Sequence, residues 1–173
     1  VAMLGQTAQL ALHNQFRDAS RLASELSELV ESIGDPSLTV GTLAIAMYAK
    51  YQTGEMEDLL RLSQRVIDLA DSDPQMGSEI VGSPLVLATE LRGIARCAMG
   101  IRGWRDDLGP RFAMARSSDP TTLAIATGYK YMFAITAGAL TADATSLRET
   151  AETITVAEKF VEDCTLASAQ LAR

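Results

Sequence analysis

TLAIAMYAKY, from Thr42 to Tyr51, returns almost intact as TLAIATGYKY from Thr122 to Tyr131, an offset of 80 residues (122 − 42). That distance is too long for one helical hairpin, so a further unit is expected between the copies. A degenerate copy lies at Pro84 to Gly93, where Leu85, Leu87, Ala88 and Arg92 take the places of Leu43, Ile45, Ala46 and Lys50. Units starting at 42, 84 and 122 give a period of about 40 residues, the range of two-helix repeats. Asp35-Pro36, Asp73-Pro74 and Asp119-Pro120 each precede a copy. Proline suits the first helical turn and the aspartate before it can cap the free amides, so each pair is predicted to open a unit.

Composition agrees with a helical reading. The chain of 173 residues is 47% hydrophobic but only 5% aromatic, as expected of close-packed Ala/Leu-rich helices in one domain. No strand-length window alternates convincingly, and the fold class expected is all-α. The formal charge of −7 argues against nucleic acid or an anionic membrane as a partner, since both require a cationic field. One stretch runs the other way: Arg92, Arg96, Arg102, Arg105, Arg111 and Arg116 face only Asp106 and Asp107. It reads either as a basic patch for a phosphate or acidic partner, with Arg96, Arg102 and Arg105 at its centre, or as a solvated face paired to neighbouring acidic helices. Cys97 and Cys164 have no metal-ligand neighbours, which fits reduced thiols and a cytoplasmic setting. No signal peptide and no apolar run of membrane-spanning length is visible.

Along the chain the pattern predicts hairpins over about 2–34, 36–72, 74–118 and 120–162, and a truncated helix over 163–173. Ala19, Leu22, Ala23, Leu26, Leu29, Val30 and Ile33 form the clearest apolar stripe, ended by Gly34. The helix from Ser37 to Thr53 is apolar on nearly every side and is expected between neighbours, with Gly54 turning into an amphipathic partner over Glu55 to Asp71. Leu85 to Ile101 reads as the third unit's inner helix, and Gly109-Pro110 as a kink or restart after Trp104. A helix to about Leu140 and another over Ala142 to Val161 complete the pattern. The chain reads as a piece of something longer, and an uncapped last unit predicts a homodimer through its open ends or a covering domain.

Catalytic chemistry has little to stand on. His13 is the sole histidine, flanked by Asn14 and Gln15, and Glu149 with Glu152 reads as a solvated acidic pair. No metal-binding, phosphate-cradling or nucleophile motif occurs. No catalytic residue, metal or cofactor is expected, and the chain is read as not an enzyme. The repeat alignment instead places Lys50, Arg92 and Lys130 at one site on successive inner helices, with Tyr48, Tyr51, Tyr129 and Tyr131 around the first and third. Such a column on a concave face could hold carboxylates, phosphates or peptide carbonyls. The other reading is that these side chains pack their stems and keep only their heads in water.

Helix pairs repeating near 40 residues, with Asp-Pro at the boundary and Gly at the turn, resemble tetratricopeptide-type repeats. The usual repeat is 34 residues with a Trp, Leu-Gly and Tyr pattern, whereas Thr42 to Tyr51 lacks the Trp and the Leu-Gly. The family's peptide-clamp residues therefore do not carry over. The resemblance implies a TPR-like superhelix, a solenoid of antiparallel hairpins with about 3.5 repeats. From Gln15 to Ala169, runs such as LASELSELVESIGDPS, LRLSQRVIDLAD and GSPLVLATELRG are similar to helical-repeat regions of large actinobacterial signalling proteins with nucleotide-cyclase, ATPase or LuxR-type modules. That similarity implies a non-enzymatic scaffold in signalling or transcription regulation, binding a protein, a peptide or neighbouring domains of its own chain. The alternative is a small-molecule effector sensor with its ligand in the concave groove.

Overall fold

A computed structural model describes residues 2–80, 82–108, 114–115, 119–133, 135 and 140–160. Among them the chain forms α1 (Ala2–Leu12), α2 (Phe16–Ile33), α3 (Pro36–Thr53), α4 (Met56–Ala70), α5 (Pro84–Ala98), α6 (Trp104–Leu108), α7 (Pro120–Gly128) and α8 (Ala144–Phe160). A π-helical turn, Tyr129–Phe133, continues α7. No strand occurs among the described residues, so the fold is all-α.

Capping sets where these helices begin. The Asp35 carboxylate accepts the Leu38 amide at 3.0 Å, and that of Asp119 accepts the Thr122 amide at 2.9 Å, each with proline opening the helix. Asp73-Pro74 departs from the expectation. Asp73 accepts the Gln75 amide at 2.9 Å and closes a turn, while the helix starts only at Pro84 with Ser83 as its cap. The segment between cannot wind into a helix because Gly77 sits at φ +72 and its carbonyl presses on Gly41 of α3. A side-chain carbon on Gly77 would meet the Gly41 amide nitrogen at 2.5 Å, so two glycines allow this loop to lie directly on helix backbone. At the other end of α3, Gly54 adopts the left-handed conformation and donates its amide back to the last turn, which folds α4 onto α3.

Consecutive helices pack on one another from α1 to α6 and again from α7 to α8. The odd-numbered helices also touch in series: α1 with α3, α3 with α5, and α5 with α7. Helix α3 is accordingly buried on most sides through Val40, Leu43, Ala44, Ala46, Met47 and Ala49. One core extends from α1 to α6 and takes in Tyr129, and Val86, Ala115 and Ala126 form a smaller cluster. The stripe predicted for α2 is only partly inward: Ala19, Ala23, Leu26 and Val30 are buried, but Leu29 is 48% and Ile33 58% exposed.

The final inner helix was expected to run unbroken to Leu140, yet α7 gives way to the π turn at Tyr129. A π turn accommodates one extra residue. Here Tyr129 points into the core while Lys130 and Tyr131 both reach α8. Gly109-Pro110, Phe112, Arg111, Arg116, Cys164 and the truncated helix over 163–173 lie outside the described residues.

Candidate functional site

The three aligned cations share one environment: each meets a carboxylate on a helix that follows its own. Lys50, near the end of α3, places Nζ 2.6 Å from Glu55 and 3.6 Å from Asp58, and its side chain is only 6% exposed. Glu55 also accepts hydroxyl hydrogen bonds from Ser20 and Thr53, both at 2.5 Å. Burial pushes the Glu55 carboxyl up, but the hydrogen bonds from Lys50, Ser20 and Thr53 and the charge of Lys50 outweigh it and hold the group at about 2. Helices α2, α3 and α4 are thereby tied at one polar knot.

Arg92 of α5 grips Asp107 of α6 through two nitrogens, at 2.5 and 3.1 Å, and donates to Gln64 of α4 at 2.9 Å. Arg96 adds a bond to Asp107 at 2.9 Å. A buried aspartate held by two guanidiniums is a strong, geometrically specific pairing. Two of the arginines in the basic stretch are therefore held within the fold by one carboxylate, which balances one of their two charges. Arg102 and Arg105 are exposed, and the Arg105 guanidinium stacks 4.1 Å above the Trp104 ring.

Lys130 of the π turn lies 3.1 Å from Glu149 of α8, and the Tyr131 hydroxyl donates to the same carboxylate oxygen. The tyrosines assemble mostly with one another. Tyr51 and Tyr129 meet edge to face with ring centroids 5.2 Å apart, and Tyr48 is close enough to raise the phenol of each. Burial is the larger cause for both, and it moves Tyr129 much further than Tyr51. Tyr129 and Tyr131 are buried, while Tyr48 and Tyr51 are half-buried and reach the surface. Apart from the Lys50 and Arg92 ion pairs, the candidate residues fall into two groups: Tyr48, Tyr51 and Tyr129 together, and Lys130 with Tyr131 on Glu149.

Sequence reasoning missed one residue altogether. Glu90, in the middle of α5, is completely buried, and neither carboxylate oxygen has a hydrogen-bond partner. Burial holds its carboxyl well above the usual range; Lys130 opposes that shift and Asp107 adds to it. In the run LATELRG a glutamate two residues before an arginine reads as a solvated helix face. Only the packing of α3, α4, α6 and α7 around α5 reveals otherwise.

Elsewhere, an open groove of about 510 Å³ is lined by Asn14, Gln15, Phe16, Arg17, Asp18, Gln52 and Thr53. His13 is exposed. Among the described residues no group of histidine, cysteine or acidic side chains is arranged to hold a metal ion, and no helix is long and apolar enough to cross a membrane. No protein-family profile, curated protein or solved structure matches this chain.

Proposed function

We propose that the chain is a non-enzymatic TPR-like scaffold that binds a protein or peptide, or packs on neighbouring domains of a larger cytoplasmic regulatory protein. The observation that carries this reading is the packing order. Hairpin follows hairpin, and the odd-numbered helices α1, α3, α5 and α7 touch in series, the arrangement from which helical repeats build an extended inner face. The accessible parts of Tyr48 and Tyr51 then supply aromatic contact area, with the exposed Arg102 and Arg105 as cations for an acidic segment. The buried ion pairs of Lys50 and Arg92 serve as struts behind that face.

Panning a displayed peptide library on the immobilised protein, followed by calorimetry on the enriched peptides, tests this reading. Binding in the micromolar range, weakened at least tenfold by Tyr48→Ala or by Arg102→Glu with Arg105→Glu and untouched by Arg21→Ala, is expected. Absence of enrichment over the bare support, or binding indifferent to all of these changes, would overturn it.

A second reading is a sensor of a small-molecule effector. The groove beside Phe16 and Gln52 favours it, because its volume falls in the range of small-molecule sites. A thermal-shift screen of metabolites checks this, since a ligand at 100 times its dissociation constant adds about 2.7 kcal/mol.

A further inference from the structure

The exposed apolar side chains at the end of α2 are neighbours. Leu29 and Ile33 stand four residues apart, as do Glu25 and Leu29, so these three share one strip of the helix surface, and Glu28 adjoins Glu25 at a spacing of three. Leu38 is exposed in the first turn of α3, where the Thr39 hydroxyl reaches the Val30 carbonyl of α2 at 3.5 Å. Adjoining apolar side chains left uncovered and rimmed by charge mark a surface for another molecule.

The charge around this strip has one sign. From Leu22 to Ala49 the chain carries Glu25, Glu28, Glu31 and Asp35 and no basic residue. The loop after α4, whose Gly77 lies against Gly41 and the Ser37 carbonyl, adds exposed Asp71, Asp73 and Glu79 at the start of α3. Two arginines reach in from outside, Arg21 to Glu25 at 3.1 Å and Arg65 to Glu31 at 3.6 Å, and both pairs are solvent-exposed and therefore weak. A surface of this kind fits a partner that is apolar and cationic.

The opposite end of the layer carries that chemistry. On the turn between α5 and α6, residues 99–105 contain Arg102 and Arg105 and no acid, and both arginines are exposed beside exposed Met99 and Ile101. The turn is held in shape: Gly100 is left-handed, and the Ile101 amide donates to the Arg96 carbonyl at 2.8 Å. Helix α5 begins just after the loop that lies on the start of α3, and its 15 residues carry the chain about 22 Å away from that end. One molecule cannot bring its two patches together, whereas two molecules can.

We propose that the α5–α6 turn of one copy of this chain docks on the end of α2 of a second copy, apolar on apolar and arginine on glutamate.

Met99 and Ile101 then cover Leu29 and Ile33, while Arg102 and Arg105 face Glu25 and Glu28. The two sides of the contact are different surfaces, so reversing the charge of either one breaks it and reversing both restores it. Within the scaffold reading, on which this rests, α2 of the second copy is the acidic segment that Arg102 and Arg105 bind.

Sedimentation equilibrium of the intact chain over a concentration series tests the contact. The average mass of the wild type is expected to rise with concentration. Arg102→Glu with Arg105→Glu, and separately Glu25→Lys with Glu28→Lys, should each weaken association at least tenfold. Each double variant has like charges at its two ends, and an equimolar mixture of the two has opposite charges at every contact, so the mixture should associate as the wild type does. A wild type that stays monomeric, association unchanged in either double variant, or a mixture no more associated than its components would overturn the proposal. Should either double variant lose its helical dichroism, Ile33→Ser, at an exposed position outside the core, takes its place, and association unchanged by it overturns the proposal equally. Enriched peptides whose binding falls with Arg102→Glu and Arg105→Glu, in a protein that stays monomeric, would overturn the self-contact alone and leave the scaffold reading standing.

Discussion

Lys50 commits its charge to Glu55 and Asp58, although the repeated Lys-Tyr ending reads in the sequence as a ligand site. What alignment transmits is the position; what it does not transmit is the partner, because Glu55, Asp107 and Glu149 stand at different distances along the chain from their cations. Lys50→Met should destabilise the fold by about 2 kcal/mol in urea unfolding. Breaking a fully buried pair costs about 3–5 kcal/mol, and the partial exposure of both carboxylates reduces that. The same knot fixes an acid response. A carboxyl held at about 2 in the fold, against 4.5 for the ordinary group, contributes stability that is present above 4.5 and lost as pH falls toward 2. Urea midpoints measured over that window should therefore decline for the wild type and decline less steeply for Glu55→Gln. Equal slopes would remove Glu55 from the acid response.

Helix boundaries were the most legible part of the sequence, since capping and turn chemistry are local. Asp35-Pro36 and Asp119-Pro120 do what their composition predicts, and Gly34 and Gly54 end α2 and α3 in the left-handed conformation. Asp73-Pro74 has the same letters, but the chain after it is held away from a helix by contact with α3. Asp35→Ala should therefore cost about 1 kcal/mol of stability, the ordinary worth of a cap. Asp119→Ala should cost more, because Asp119 also accepts from Thr122 Oγ1, which in turn receives the Ser83 amide across two units. Asp73→Ala, which releases only a local turn, should stay within about 0.5 kcal/mol. Chemical-denaturation midpoints of the three variants check the order, and an Asp73→Ala cost equal to that of Asp35→Ala would contradict it. The π turn was illegible for the opposite reason: TLAIATGYKY has the composition of an ordinary helix, and the register changes where Tyr129 and Lys130 are drawn to different neighbours.

Tyr51 and Tyr129 come from the two near-identical copies that define the repeat, yet their rings touch. In a strictly linear array the first and third units would be separated by the second. Here Tyr51 of α3 meets Tyr129 of the π turn directly, and Tyr129 joins the core that starts at α1. Repetition in sequence gave no hint of this contact, because it depends on how the helices pack rather than on their order. The consequence is a molecule more cooperative than the sum of its hairpins. Urea unfolding followed by far-ultraviolet dichroism, which reports all helices, should coincide with unfolding followed by fluorescence of Trp104, the single tryptophan, on α6. Tyr129→Ala removes a buried ring and its edge-to-face partner, at a cost of about 3 kcal/mol by analogy with buried aromatic truncations. That loss falls on the junction between α7–α8 and the rest. The dichroism of the variant should gain an earlier phase from the last hairpin, while the Trp104 transition, supported by Leu108, Ile94 and Leu91 in the main core, moves much less. If both probes shift together and remain superimposed, the last hairpin is bound to the core by contacts other than the tyrosine pair.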